Sequence, residues 1–290
     1  MKSNYLIFML ALTLICLVSF AHAVTPKKPS IIALAPHIVE MLYDIGAGEQ
    51  IIGTTTYADY PESAKKIPRI GNHARIQIER VIELQPDLII AWKSGSPSDD
   101  LGRLAQLGFK VIYSQPNTFE DIAIELRQFA VLTGHQVEGE KIAKAFEKKL
   151  ADIKETYQNK TKIIGFYELW SRPLTTIAKG SWPQQFLTAC QVTNPFEQAS
   201  TPYPQISIEQ VLPASVQVII QPLSSATKAR ETFPWQDWPM IPAVANNHII
   251  QPNTDAMHRM TIRSLGALKD LCQAIDNTRN QLFASHIKIL

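Results

Sequence analysis

Long apolar runs are scarce in this sequence. Beyond residue 23 no stretch reaches the roughly 18–20 apolar residues that a membrane-spanning helix needs, so the chain after its N-terminus is not expected to cross a bilayer. An excess of one charge is missing as well. The 28 Lys and Arg stand against 26 Asp and Glu, for a net charge of +2. No basic run interleaves with aromatics, which argues against a nucleic-acid partner. Gly-x-Ser-x-Gly, His-Glu-x-x-His and the P-loop are all absent, which removes the common hydrolase and nucleotide-binding signatures. His37, His73 and His258 match no zinc spacing. Glycine is outnumbered by proline, 12 to 19, which suits stiff loops rather than flexible linkers. Cysteine is down to three.

What is present begins at the N-terminus. Lys2 is followed by an apolar run, Tyr5 to Phe20, broken only by Thr13 and Ser19, and then by Ala21-His22-Ala23. This is the pattern of a cleavable secretory signal over residues 1–23, with the cut predicted after Ala23. Cys16 lies inside the run and lacks the preceding small residue of a lipoprotein signal. Removing it leaves Cys190 and Cys272, which form either one disulfide, as an oxidising compartment favours, or two buried thiols.

The segment Ile76-Gln-Ile-Glu-Arg-Val-Ile-Glu-Leu-Gln-Pro-Asp-Leu-Ile-Ile90 recurs in degenerate form as Ile206-Ser-Ile-Glu-Gln-Val-Leu-Pro-Ala-Ser-Val-Gln-Val-Ile-Ile220, without a gap. Each copy reads as a short helix and then a buried strand. Ile78, Val81 and Ile82 have helical spacing, and Leu88 to Ile90 is the continuous apolar run of a parallel strand covered on both faces. Such a separation is too long for a solenoid repeat and points to two similar lobes. Glu79 and Glu209 occupy the same place in each copy. A glutamate early in a helix complements the helix dipole; the matched pair adds the expectation of one exposed carboxylate per lobe with a shared role.

Around the repeat the chain alternates short strands and helices, the mark of an open parallel sheet. The predicted organisation is a first lobe over residues 24–134, one connecting helix over 135–160 and a second lobe over 161–290. The connector, read as a helix over 138–158, shows an inner stripe of Ile142, Phe146, Leu150 and Ile153 and spans roughly 30 Å. Short strands are expected between Met240 and Gln251, and a last helix over 260–282. Ligands of such folds sit at the carboxyl ends of the strands. Tyr57, His73, Trp92, Trp170, Trp182 and the segment Thr254-Asp-Ala-Met-His-Arg259 fall at such places. Aromatics with one polar end suit a broad cleft that grips a large flat ligand.

Several runs carry a resemblance to a known family. They are Tyr57-Ala-Asp-Tyr-Pro61, Ile78-Glu-Arg-Val-Ile82, Pro86-Asp-Leu-Ile-Ile-Ala-Trp92, Leu104 to Val111, Tyr203-Pro-Gln-Ile-Ser207 and Glu209-Gln-Val211, with Cys190 and Cys272. The chain resembles the periplasmic solute-binding proteins of cobalamin and iron-complex ABC importers, and is most similar to the cobalamin-binding members. The resemblance implies an α/β fold of two Rossmann-like lobes with parallel sheets, joined by a single long rigid helix. It implies a periplasmic, non-enzymatic binder of cobalamin or a related corrinoid, held reversibly between the lobes with no resident cofactor. The implied partner is an inner-membrane ABC permease dimer with its ATPase, docked through Glu79 and Glu209; a monomer is expected. It implies a cleft tyrosine at Tyr57, a strand-end tryptophan at Trp92 and a second-lobe ligand loop from Asp255 to Arg259, with His73 and Tyr203 where the cobalamin binders have tryptophan. With Trp170 and Trp182 from the strand ends, the expected ligand set is Tyr57, His73, Trp92, Trp170, Trp182, Tyr203, Asp255, Met257, His258 and Arg259, and the implied disulfide is Cys190–Cys272. Haem or a ferric siderophore is the alternative cargo on the same scaffold, with His73 or His258 as the iron ligand. A secreted hydrolase and a receptor module without transport are the readings from other classes.

Overall fold

The computed structural model describes residues 27–223 and 232–287. The expected secretory signal therefore lies outside the described residues. Among those described, no helix is long and apolar enough to cross a membrane.

The first lobe is built from β1 (Ile31–Ala33), α1 (Pro36–Asp44), β2 (Ile51–Thr54), α2 (Ile78–Leu84), β3 (Leu88–Trp92), α3 (Ser98–Gln106) and β4 (Val111–Ser114). Its sheet runs β2-β1-β3-β4, all parallel. The strands are short and apolar because helices cover both faces: Ile31 to Ala33 and Ile89 to Ala91 have no exposed surface.

A helical hairpin follows. Thr118 caps α4 (Phe119–Thr133), accepting from the Asp121 amide while Asp121 accepts from the Thr118 amide, and Gly134 ends the helix in the left-handed region. The connector α5 (Gln136–Tyr157) has 22 residues, about 33 Å. It lies close against α4 because position 139 is glycine; a Cβ there would come within 2.2 Å of the Ala130 methyl. Phe146, Leu150 and Ile153 face inward as the stripe predicts, and Ile142 packs at its margin. Arg127 of α4 ties the pair together through Glu140 and Glu147, each at 2.6 Å.

The second lobe contains β5 (Ile163–Tyr167), β6 (Trp170–Ser171), β7 (Leu174–Thr175), α6 (Gln184–Ala189), β8 (Val192–Thr193), α7 (Ile208–Val211), β9 (Val218–Ile220), α8 (Pro242–Ala245), β10 (Ile249–Ile250), α9 (Thr254–His258) and α10 (Ser264–Ile287). Its main sheet is β10-β9-β5-β8, again parallel. With β5 set on β1, β8 on β2, β9 on β3 and β10 on β4, the two sheets have one topology. Between Met240 and Gln251 the structure places a helical turn before a single strand, not strands alone. Pro242 sits at the start of that turn, where a missing N–H costs nothing, and Ile241 and Ala243 are buried beneath it.

Cys190 and Cys272 are disulfide-bonded, with Cα atoms 4.8 Å apart, which joins the end of α6 to α10. Beside the bond, buried Arg279 donates to the carbonyls of Cys190 and Thr161 and pairs with Asp276. One apolar core runs through both lobes. Within it Phe119, at the start of α4, meets Trp182 and Phe186 of the second lobe, with ring centroids 4.9 and 5.1 Å apart.

Candidate functional site

The carboxyl ends of both sheets converge on a cleft of about 690 Å³. The first lobe contributes Trp92 from the end of β3 and Gln115 to Asn117 from the end of β4. The second contributes Leu169 and Trp170 after β5, together with Trp182, Tyr203, His258 and Met260.

Trp92 is set by its own loop. The amides of Gly95 and Ser96 return to its carbonyl, and the Ser96 hydroxyl accepts from its amide. The loop can close this tightly because position 95 is glycine; a Cβ there would sit 1.9 Å from the indole ring. Behind the indole, His37 makes an edge contact at 5.5 Å. Its Nε2 lies 3.0 Å from the Ser114 hydroxyl, which itself donates to Glu125 at 2.5 Å. Since that hydroxyl gives its proton to Glu125, the imidazole donates from Nε2. Burial depresses His37 to about 3, so it is neutral. Burial also raises Glu125 above the usual carboxylate range, against the hydrogen bonds from Ser114 and the Gln115 amide. Among the described residues the Trp92 indole N–H and the Gln115 side-chain oxygen have no protein partner, although both are buried. They stand as a donor and an acceptor in the same wall.

The opposite wall hangs on α9. Trp182 donates its indole N–H to the Met257 carbonyl at 2.7 Å, and the Tyr167 hydroxyl lies 2.8 Å from His258 Nε2. The rim hairpin β6–β7 is held by buried Glu168, which accepts from Ser171, Gln221, the Phe233 amide and the Trp235 indole.

Beside the cleft the lobes are joined by ions. Arg259 Nη1 reaches Glu40 at 2.9 Å and Asp59 at 2.7 Å, and Arg263 grips both oxygens of Glu40 at 2.9 and 2.6 Å. Arg263 also lies 3.9 Å over the Tyr60 ring. Glu40 is 1% exposed. One turn along α1, burial and then the charge of Glu40 raise Asp44 from 3.8 to about 7, with Arg263 opposing. The folded chain therefore holds a proton that the unfolded chain releases above pH ~4. Stability is expected to fall as pH rises from about 4 to 7, and Asp44→Asn to remove that loss. The gap bounds the gain at about 4 kcal/mol, and solvent screening of this half-buried group brings it to about 1–2 kcal/mol at pH 8. Urea melts at pH 4.5 and 8 test this: the variant should gain over the parent at pH 8 and much less at pH 4.5.

Of the residues expected to bind ligand, Trp92, Trp170, Trp182, Tyr203 and His258 line the cleft. Tyr57 is 73% exposed off the cleft wall, and its carbonyl accepts from Arg259. His73 is an exposed loop residue ahead of α2. Asp255 lies 4.0 Å from Arg259, which is itself engaged by the first lobe. Met257 is fully buried, and only its carbonyl serves the wall. Gln115, Leu169 and Met260 were not expected there. The strand-end position that marks Trp92 is also the signal for Gln115, the first residue after β4. Glu79 and Glu209 are exposed in the first turns of α2 and α7.

A family model described as periplasmic binding protein matches residues 31–255. Vitamin B12-binding protein of Vibrio campbellii is 37% identical over 252 residues, 87% of this chain and 90% of the relative. The crystal structure of periplasmic vitamin B12-binding protein BtuF of Vibrio cholerae superposes with a TM-score of 0.79 at 36% identity, covering 87% of this chain and 98% of that one. The periplasmic heme-binding protein RhuT from Roseiflexus shares the fold at 22% identity, with a TM-score of 0.73 over 87% of this chain and 99% of that one.

Proposed function

Since the chain belongs to the periplasmic binding protein family, we propose that it is the substrate-binding component of an ABC importer, carrying cobalamin or a related corrinoid in the cleft to an inner-membrane permease and its ATPase. The observation that carries this reading is the meeting of Trp92, Trp170, Trp182 and Tyr203, from two lobes, in one cleft. Wide aromatic faces suit a flat macrocycle. Relatives named for vitamin B12 binding support the same cargo. Haem fits less well: His258 Nε2 is engaged by Tyr167, and His73 lies off the cleft wall.

In this reading binding is reversible, without turnover and without a resident cofactor. The lobes are residues 24–134 and 161–290, the connector is 135–160, and a monomer works in the periplasm after cleavage behind Ala23. The shared core and stiff connector favour a small closure over a wide hinge. Calorimetric titration with cyanocobalamin should give one site per chain and a change in the ligand's visible spectrum. Trp170→Ala removes one exposed indole face and should weaken binding by about 1–2 kcal/mol, roughly 5–30-fold. No heat and no spectral change at micromolar ligand would reject the corrinoid, with haemin and a ferric hydroxamate as the next probes.

A further inference from the structure

We propose that Glu40 and Asp59 are positioning residues for the cleft: acting through Arg259, they hold the second lobe's ligand wall from the first lobe. The helix that carries this wall is only five residues long, too short to be rigid by itself. Its N-terminus is capped by the Asn253 side chain. Its C-terminus ends at Arg259, and that guanidinium is bound from the first lobe, beside the cleft, by Glu40, Asp59 and the Tyr57 carbonyl. Between these two anchors lie the groups that set the wall: the Met257 carbonyl, which fixes Trp182, and His258, which is bonded to Tyr167. Arg263 completes the arrangement by taking both oxygens of Glu40, so the buried carboxylate engages two arginines of the other lobe at once.

The consequence is a coupling. Any movement that separates the lobes must part Arg259 and Arg263 from Glu40. The same movement removes the C-terminal anchor of α9, so the Trp182 and His258 side of the cleft loosens as the cleft opens. Opening and loss of grip are one event, and a permease that prises the lobes apart releases cargo without touching it. Buried ion pairs suit this role. Such a pair adds little net stability when intact, yet leaving one partner alone is costly, so it behaves as a two-state contact. This inference rests on the cleft being the ligand site, as proposed above.

Hydrogen exchange of the purified protein tests the positioning separately from the cargo. Glu40→Gln should raise exchange of the amides of residues 254–258 at least tenfold, leave those of β1 and α4 within twofold, and speed cyanocobalamin release about tenfold. Asp59→Asn, on the more exposed arm, should raise α9 exchange about threefold, and Asp59→Glu should restore it. Unchanged α9 exchange in both Glu40→Gln and Asp59→Asn overturns the proposal. So does a rise spread equally over both lobes, or faster release with α9 exchange unmoved. If Glu40→Gln does not fold, Asp59→Asn and its Glu rescue decide alone. If the parent protein binds no cyanocobalamin, the corrinoid reading fails while the exchange result still judges the anchor.

Discussion

Reversing the charge at Glu79 and Glu209 together is expected to abolish uptake while leaving ligand affinity within about twofold. Glu79 lies in the first turn of α2 ahead of β3, and Glu209 in the first turn of α7 ahead of β9. These are equivalent positions in two sheets of one topology. Both side chains are exposed, and neither lines the cleft. Glu209 is further oriented by the Ser207 hydroxyl, whose hydrogen bond holds the carboxyl below its usual range. Two acids fixed at matching sites on separate lobes can meet two cations of a dimeric partner at once, so each single change should act mainly on association rate and its salt dependence. The measurements are cyanocobalamin-dependent growth of a strain lacking its own binder, and calorimetry on the purified variants. Normal uptake with Glu79→Arg and Glu209→Arg combined would end the docking role.

The duplication behind that prediction was legible because it repeats in sequence without a gap. The structure extends it below the side chains: Gln85 and Ser215, at matching places in the two copies, both adopt the left-handed conformation just before the strand. The copies diverge where the prolines differ. Pro86 follows the left-handed residue, whereas Pro213 lies inside the turn, so the second helix stops at Val211 and tightens into a 3-10 turn over 212–214. The aromatic half of the cleft was legible for another reason, since strand ends can be located from apolar runs. Met257 and Arg259 were less legible. In a five-residue helix no periodicity separates the buried face from the open one, and Arg259 finds its partners 200 and 219 positions away. Glu40 sits in α1 among apolar neighbours, and nothing local announces that two arginines will cover it.

Glu168 shows the same limit and carries the largest expected cost to stability. It follows β5 directly and is 3% exposed. Its Oε1 accepts from the Ser171 hydroxyl at 2.8 Å and the Phe233 amide at 3.1 Å; its Oε2 accepts from Gln221 at 2.6 Å and the Trp235 indole at 2.7 Å. Four donors from three segments converge on one side chain, and Trp235 is itself a core residue packed on Phe166 at 5.3 Å. Glu168→Ala strands all four donors in a place that water reaches poorly. The expected loss is about 3–5 kcal/mol, a fall in melting temperature of the order of 10 °C. Glu168→Gln keeps one acceptor oxygen but turns an NH₂ group toward two of the donors, so it should lose about half as much. Because Ser171 belongs to the hairpin that carries Trp170, both variants should also weaken cyanocobalamin binding, and Glu168→Ala the more. Thermal melts followed by calorimetry test the order parent, Gln, Ala in both properties. An alanine variant that melts within about 2 °C of the parent and binds as well would show that the four hydrogen bonds contribute nothing to the rim.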